Sequence, residues 1–171
     1  MEYRVYARSR GAFPGSDRAQ MLAADHSHVR TRQPKAGDER IDGIAYRWYA
    51  TPTYRGNGVG RVKNIWAFLR AVWRDTPRLV RDFNPDVVLA SSTYPMDIWV
   101  ARRLARQSGA RLAYEVHDLW PLSPIELSGM SPRHPFAMVC QRAEDTAYRD
   151  ADVVVSMLPC VHEHMASRGL D

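Results

Sequence analysis

The sequence predicts an α/β fold in which a mostly parallel β-sheet carries helices on both of its faces. From about residue 59 onward, short β-branched runs alternate with helical patterns, which is typical of βαβ units. The run Val87-Val88-Leu89-Ala90 is apolar throughout, as expected of a strand covered on both sides. At 171 residues the chain has the size of one ordinary domain.

The expected strands are short apolar runs bounded by turn residues. They are predicted at residues 20–24, 44–49, 87–90, 112–116 and 153–155. The polar stretch 28–43 is interpreted as a loop. Residues 1–18 contain glycine, proline and arginine without an apolar period, so they are interpreted as a degenerate or poorly ordered start. Residues 19–171 then form the domain.

Helices are expected between these strands. Residues 95–107 place their apolar side chains on one face, and Gly109 is available to end the helix. Residues 135–149 repeat this arrangement. Upstream, an amphipathic helix is predicted over residues 60–74, and a separate short helix is expected to start at Thr76-Pro77.

Composition and charge limit the classes of function. The chain has 24 Lys and Arg against 19 Asp and Glu, and its net charge of +5 favours an anionic partner such as a lipid, a nucleotide or a nucleic acid. No apolar run approaches the roughly 18 residues that a membrane-spanning helix needs. Cys140 and Cys160 lie in no metal-ligand spacing and no apolar leader opens the chain, so a cytoplasmic location is expected.

The helix predicted over residues 60–74 is basic on one side. Its basic side chains fall mainly away from the apolar positions, and they are Arg61, Lys63, Arg70 and Arg74. A solvated outer face is the plainer interpretation. Peripheral contact with an anionic membrane surface is the alternative that stays open. Trp66 and Trp73 are interpreted as core or domain-contact residues rather than as a platform for a sugar.

Two segments at strand ends are candidate ligand sites, because ligands bind parallel sheets beyond the carboxyl ends of the strands. The first runs from Ser91 to Pro95, where hydroxyl groups precede a helix and suit a phosphate or a sugar hydroxyl. Ser91, Ser92 and Tyr94 are its candidate substrate-binding residues. For the hydroxyl groups, helix capping alone is the alternative.

The second candidate segment runs from Glu115 to Pro121 and directly follows a predicted strand. Its imidazole, His117, is suited to donate a hydrogen bond to a reacting hydroxyl or a developing oxyanion, and Glu115 or Asp118 would fix the tautomer. Trp120 offers a flat apolar face that would stack on a sugar ring or pack the loop. A solvated loop without a function is the alternative.

A set of segments carries a family resemblance through its order and spacing. They are Asn84 to Ser92, Glu115 to Pro121, Glu144 with Tyr148, Ala151 to Ser156, and the glycine-bearing stretch Asn57-Gly58-Val59-Gly60-Arg61. From about Ile41 to Leu170 the chain resembles the N-terminal domain of family-4 glycosyltransferases, in the branch that builds bacterial surface polysaccharides. This implies a Rossmann-like domain that forms the acceptor-side half of a GT-B fold.

The resemblance implies the transfer of a sugar from a nucleotide-sugar to a glycan or lipid-linked acceptor. The anomeric configuration would be retained, and neither a metal nor another cofactor would be required. His117 would be the catalytic residue near the donor sugar, with Asp118 and Glu115 as its supports. Asn57 and Arg61 would join the substrate-binding residues, and the protein would work at the inner face of the cytoplasmic membrane.

The resemblance also implies that the chain is truncated at both ends. The family's first strand would precede Met1, and the nucleotide-sugar domain would follow Asp171. No pair of glutamates eight positions apart, which marks that domain, occurs in the chain. We therefore expect no transferase activity from this chain alone. A binding half completed by a separately encoded donor-domain chain is the alternative, and a basic nucleic-acid-binding protein is a weaker one, since no recognisable RNA-binding pattern is present.

The remaining histidines and cysteines are not interpreted as sites. His26 and His28 form a poor metal site without further ligands, and His162 and His164 are expected on the surface. Cys140 is expected in the core. Cys160 has no activating partner in the sequence, so a nucleophile is not expected there.

Overall fold

The elements of the fold are taken from a computed structural model, which describes residues 4–9, 19–24 and 36–170 apart from 42, 57, 92, 93, 157 and 159. The strands are β1 (Arg4–Ser9), β2 (Ala19–Ala24), β3 (Gly37–Ile41), β4 (Ile44–Tyr49), β5 (Pro85–Ser91), β6 (Arg111–Val116) and β7 (Val153–Ser156). The helices are α1 (Val59–Phe83), α2 (Asp97–Ser108), α3 (Leu122–Ser128), α4 (Pro135–Asp150) and α5 (His162–Ser167).

The strands of the described residues form one sheet in the order β3-β4-β2-β1-β5-β6-β7. β5, β6 and β7 are parallel neighbours, and so are β2 and β4. The other pairs, β3–β4, β1–β2 and β1–β5, are antiparallel. The predicted α/β, Rossmann-like fold is confirmed. Parallel pairing is less extensive than expected because β1, which the sequence did not predict, enters the middle of the sheet antiparallel to both neighbours.

The second half of the chain follows the prediction closely. β5, β6 and β7 contain the predicted apolar runs, and the crossover helix α2 lies between the first two of them in the chain. Gly109 ends α2 with a φ of 70°, and its N–H donates to the Ala105 carbonyl. Glycine adopts this left-handed conformation without the steric cost that a Cβ adds. Helix α4 occupies the second predicted crossover.

Helix α1 is one continuous element, so the prediction of a separate helix starting at Thr76-Pro77 is wrong. Pro77 lies inside the helix, where it supplies no backbone N–H. In the same turn, the Thr76 hydroxyl donates to the Val72 carbonyl at 3.0 Å. Val72, Thr76 and Leu79 are all buried, so packing of this face holds the helix together through the proline.

Two strands lie where the sequence predicted none. β3 lies inside the stretch interpreted as a loop, so that interpretation is wrong for Gly37–Ile41. It is an edge strand with four exposed residues, and such a strand lacks the apolar alternation by which strands are recognised. β1 lies in the start to which the sequence assigned no element. Its apolar run, Val5 to Ala7, is only three residues long.

The core lies between the parallel strands and helices α1, α2 and α4. Val88, Ile98 and Cys140 are fully buried in it. The prediction for Cys140 is confirmed, and its Sγ lies 3.7 Å from the Met96 sulfur. Trp66 and Trp73 are partly exposed rather than buried, so the core interpretation is wrong for them. The domain-contact alternative stays a prediction.

Ion pairs join the β3–β4 hairpin to helix α1. Arg47 of β4 is 5% exposed, and its guanidinium bonds Asp38 of β3 at 2.6 and 3.0 Å. It also bonds two carboxylates of α1, Asp75 at 3.2 Å and Asp82 at 3.1 Å. The hydrogen bonds from Arg47 hold the pKa of Asp38 and of Asp82 below the ordinary aspartate value. One buried arginine thus ties an edge hairpin to a helix.

Helix α1 is the longest helix of the described residues at 25 residues, and basic side chains recur along it. Within the part of the chain that the structure describes, no helix combines the length and the apolar character needed to cross a membrane.

Candidate functional site

The pairing of β5 with β6 brings the two candidate segments together. The strands are parallel, with Val87 opposite Arg111 and Ala90 opposite Tyr114. Ser91 is the last residue of β5, and His117 directly follows β6. Since the carboxyl ends of parallel neighbours meet at the same edge of a sheet, both segments open at one edge.

Ser91, Glu115 and His117 form a hydrogen-bonded cluster at this edge, which we call the strand-tip cluster. The Ser91 hydroxyl donates to Glu115 Oε2 at 2.6 Å. His117 Nε2 lies 2.9 Å from Ser91 Oγ and 3.2 Å from Glu115 Oε2. Because the serine proton goes to the carboxylate, the serine oxygen accepts from Nε2–H. The network therefore assigns the ring proton to Nε2 and leaves the lone pair of a neutral imidazole on Nδ1.

This geometry differs from that of a nucleophilic serine triad. In such a triad the acid and the serine bond opposite nitrogens of the imidazole, so that the ring can accept the serine proton. Here Ser91 and Glu115 both contact Nε2, and the serine proton is directed to the carboxylate. The cluster is therefore built to hold an imidazole and a carboxylate in place. The side chains of Glu115 and His117 are 25% and 27% exposed, which leaves both accessible to a ligand.

Asp118 supports the loop rather than the imidazole. Its Oδ1 accepts from the Leu119 backbone N–H at 2.9 Å and from the Ser123 hydroxyl at 2.5 Å. These bonds hold the loop after β6 against the first turn of α3. The sequence offered both Glu115 and Asp118 as supports of His117, and in the structure Glu115 is the one that contacts the imidazole.

The two aromatic candidates lie mostly inside the protein. Tyr94 is 2% exposed and belongs to the core. Trp120 is partly buried, with its ring edge-on to Phe136 at a centroid distance of 5.9 Å. Its indole Nε1 is buried and has no hydrogen-bond partner among the described residues. Trp120 therefore packs the loop, which is one of the two interpretations that the sequence offered for it.

The other predicted site residues are only partly covered by the structure. Ser92 and Asn57 lie outside the described residues. Arg61 is partly buried in the first turn of α1. Capping does not explain Ser91, since the N-cap residue of α2 is Met96 and the Ser91 hydroxyl donates to Glu115.

The described residues contain no group of three His, Cys, Asp or Glu side chains that would hold a metal ion. His26 and His28 lie outside the part of the chain that the structure covers. His162 is exposed as predicted, whereas the surface prediction is wrong for His164. Its side chain is 21% exposed and lies beside Glu144, with Nε2 3.4 Å from Oε1.

Glu144 forms a second polar cluster, which sequence reasoning did not predict as a site. It is 1% exposed in α4. Besides the contact with His164, it accepts from Gln141 Nε2 at 3.0 Å and from the Tyr148 hydroxyl at 3.2 Å. Burial raises the pKa of Glu144, and the nearby His164 opposes this shift. The sequence signal that could have revealed this cluster was the spacing of Glu144 and Tyr148, which lie one helical turn apart.

We expect Glu144→Gln to become more stable relative to the wild type as the pH rises from about 4.5, the ordinary value of the carboxyl. A raised native pKa means that the folded state retains the proton more strongly than the unfolded chain. The wild type therefore loses stability as the pH rises through this range, whereas the glutamine does not ionise. Urea unfolding of both proteins between pH 4 and 8 measures the difference. A difference that stays constant with pH would contradict the assignment.

Comparison with known proteins gives one match. A family model described as "Glycosyl transferase 4-like domain" matches residues 17–171. No curated protein and no solved structure matches the chain. The matched range contains both strand-tip segments and the Glu144 cluster.

Proposed function

The chain belongs to the family of glycosyl transferase 4-like domains, and we propose that it forms the acceptor-side half of a family-4 glycosyltransferase with the GT-B architecture. The parent reaction transfers a sugar from a nucleotide-sugar to a glycan or lipid-linked acceptor of a surface polysaccharide, with retention of configuration. The nucleotide-sugar is a substrate, and the proposal requires no metal or other cofactor. A facing donor domain, in the same or a separate chain, supplies the other wall of the cleft.

The observation that carries the proposal is the strand-tip cluster. It presents a carboxylate and an imidazole, both partly exposed, at the edge of the sheet where ligands of α/β folds bind. Sugar hydroxyls both donate and accept hydrogen bonds. Glu115 has further lone pairs, and His117 has its Nδ1 position, to meet them. Ser91, buried at 4% exposure, orients these two side chains.

The same cluster suits the charge changes of glycosyl transfer. Positive charge develops on the donor sugar as the acceptor hydroxyl attacks, and the leaving phosphate gains negative charge. The Glu115 carboxylate lies within 3.2 Å of the His117 ring, so the two groups face a bound sugar together. We assign Glu115 and His117 together to the place where the acceptor hydroxyl attacks the donor sugar.

Acceptor binding is tested by titrating the ¹⁵N-labelled chain with octyl glycosides of common hexoses, used as soluble acceptor probes. We expect chemical-shift changes at the ends of β5 and β6, including Ser91 and the residues from Glu115 to Asp118. Octyl phosphocholine, which has the same alkyl chain but no sugar, is the matched control probe. Equal changes with both probes, or none up to millimolar concentration, would contradict an acceptor site.

Turnover is tested separately. The chain is assayed for nucleotide-sugar consumption alone and together with a separately encoded donor-binding protein from the same gene neighbourhood. We expect consumption only in the paired assay. Turnover by the chain alone would overturn the half-enzyme proposal, even if the acceptor titration succeeds.

A further inference from the structure

The two edges of the sheet differ in how they are protected against pairing with another chain. Among the described residues, β3 and β7 each have a neighbouring strand on one side only. β3 is protected, since Asp38, Glu39 and Arg40 are charged and exposed. β7 consists of three valines and a serine, with no charge, proline or glycine. Proteins block open edges with charged residues, prolines or bulges, so β7 is an edge left open to pairing.

The hydrogen bonds of β7 show which of its backbone groups face outward. The Asp152 N–H donates to the Leu112 carbonyl of β6 at 2.8 Å. Backbone groups alternate in direction along a strand, so Val154 also directs its N–H and C=O to β6. The N–H and C=O of Val153 and Val155 then face away from β6. The outer side of β7 therefore presents two donors and two acceptors to an approaching strand.

The side chains at this edge are apolar and exposed. Val153 and Val155 are 55% and 50% exposed, and the alternation of side chains puts both on one face of the sheet. Val154 lies on the opposite face, where it packs against the core. Asp152, which precedes the strand, is bonded to the Leu112 N–H at 2.8 Å and to Arg111 at 2.7 Å. An approaching strand therefore meets valines, and the nearest acidic charge already has partners.

We infer that β7 pairs with β7 of a second copy of this chain, in the antiparallel direction across a twofold axis. This pairing is self-complementary. With Val154 on the axis, Val153 of one copy lies opposite Val155 of the other, and the two residues exchange both of their backbone hydrogen bonds. The symmetry-related pair does the same, so the outward groups of both copies are all used. Cross-strand pairs of apolar side chains add to the stability of the contact.

A second copy is favoured over a strand of another protein. An extended foreign segment would also fit an open edge. A second β7, however, has an open edge of its own that the same hydrogen bonds satisfy, and it brings no charge opposite the valines. This inference does not depend on the proposed transferase function.

The first test uses the wild-type chain. The contact is short, so we expect a weak dimer whose population rises with concentration, measured by sedimentation equilibrium from about 5 to about 500 µM. The amides of Val153 and Val155 should exchange with solvent about tenfold more slowly at the highest concentration, since pairing gives them acceptors. The amide of Val154, which faces β6, should keep its rate. A monomer at every concentration, or unchanged exchange at Val153 and Val155, would overturn the inference.

Charge substitutions test whether β7 meets β7. Val153→Lys/Val155→Lys places like charges opposite one another in the pair and is expected to weaken association about tenfold or more. Val153→Glu/Val155→Glu should do the same. When the two variants are mixed in equal amounts, every lysine faces a glutamate. The mixture should therefore associate about tenfold more tightly than either variant alone.

Leu127→Lys/Met138→Lys is the matched control. It adds the same charge at apolar side chains that are 84% and 60% exposed in α3 and α4, and is expected to change association less than threefold. Equal loss with both lysine pairs, or no recovery in the mixture of lysine and glutamate variants, would contradict pairing through β7. Circular dichroism and thermal unfolding verify that each variant is folded, and the exchange measurement on the wild type needs no variant.

Discussion

Replacing Arg47 by Met is expected to reduce the free energy of unfolding by about 3 kcal/mol, which is a large fraction of the stability of a domain of this size. The arginine is 5% exposed and bonds three carboxylates, Asp38, Asp75 and Asp82. Without it these carboxylates repel one another and lose their shared donor. Its guanidinium also lies 4.8 Å from the centre of the Phe83 ring, a contact that methionine replaces only partly.

The loss of stability caused by Arg47→Met should also depend on pH, which gives a second and independent test. Arg47 lowers the pKa of Asp38 and Asp82, so their ionised forms stabilise the folded state above the ordinary value of 3.8. This contribution is lost as the pH falls through the lowered native values. The difference in stability between the wild type and Arg47→Met should therefore shrink below about pH 4.

The matched control is Arg78→Met, which removes an exposed arginine that also contacts Asp82, at 3.4 Å. Exposed pairs contribute little, so we expect a change below about 1 kcal/mol. Chemical unfolding of the three proteins at pH 7 and pH 3 measures both effects. Equal destabilisation by the two substitutions at pH 7 would show that the network does not depend on the buried arginine.

The sequence predicted the second half of the fold better than the first, and the reason is physical. β5, β6 and the helices that cover them are recognisable because burial on two faces demands apolar runs, and a left-handed helix end favours a glycine such as Gly109. β3 is an exposed edge strand, so nothing in its composition marks it. The continuity of α1 through Pro77 depends on tertiary packing, which a local proline rule does not contain.

The candidate site was predictable in position but not in its connections. Topology alone brings Ser91 and His117 to one edge, because parallel neighbours end together. The direction of each side chain decides which carboxylate supports the imidazole. In the structure Glu115 contacts His117, whereas Asp118 bonds Ser123. The burial of Tyr94 likewise follows from the packing of the turn before α2, which the sequence does not reveal.

The largest effect on function is expected from His117→Ala, which should lower the rate of sugar transfer by roughly 10²–10⁴-fold in the assembly that consumes nucleotide-sugar. The measurement is kcat and KM for donor and acceptor. His162→Ala, which removes an exposed histidine of α5, is the matched control and should leave both unchanged. Ser91→Ala removes a hydroxyl that orients both Glu115 and His117, so the loss of its two hydrogen bonds is expected to lower the rate by roughly ten- to thirtyfold.

His117→Gln distinguishes a reacting imidazole from a structural one. The glutamine amide can replace the Nε2–H that faces Ser91 and Glu115, but it offers no nitrogen in the place of Nδ1. If His117 only held the cluster together, the glutamine variant would recover most of the rate lost in the alanine variant. Because Nε2 is already engaged, we expect the ligand to use Nδ1, so the glutamine variant should fold like the wild type and stay nearly as slow as His117→Ala. Recovery of the wild-type rate would reassign His117 to a positioning role and leave Glu115 as the group that meets the sugar.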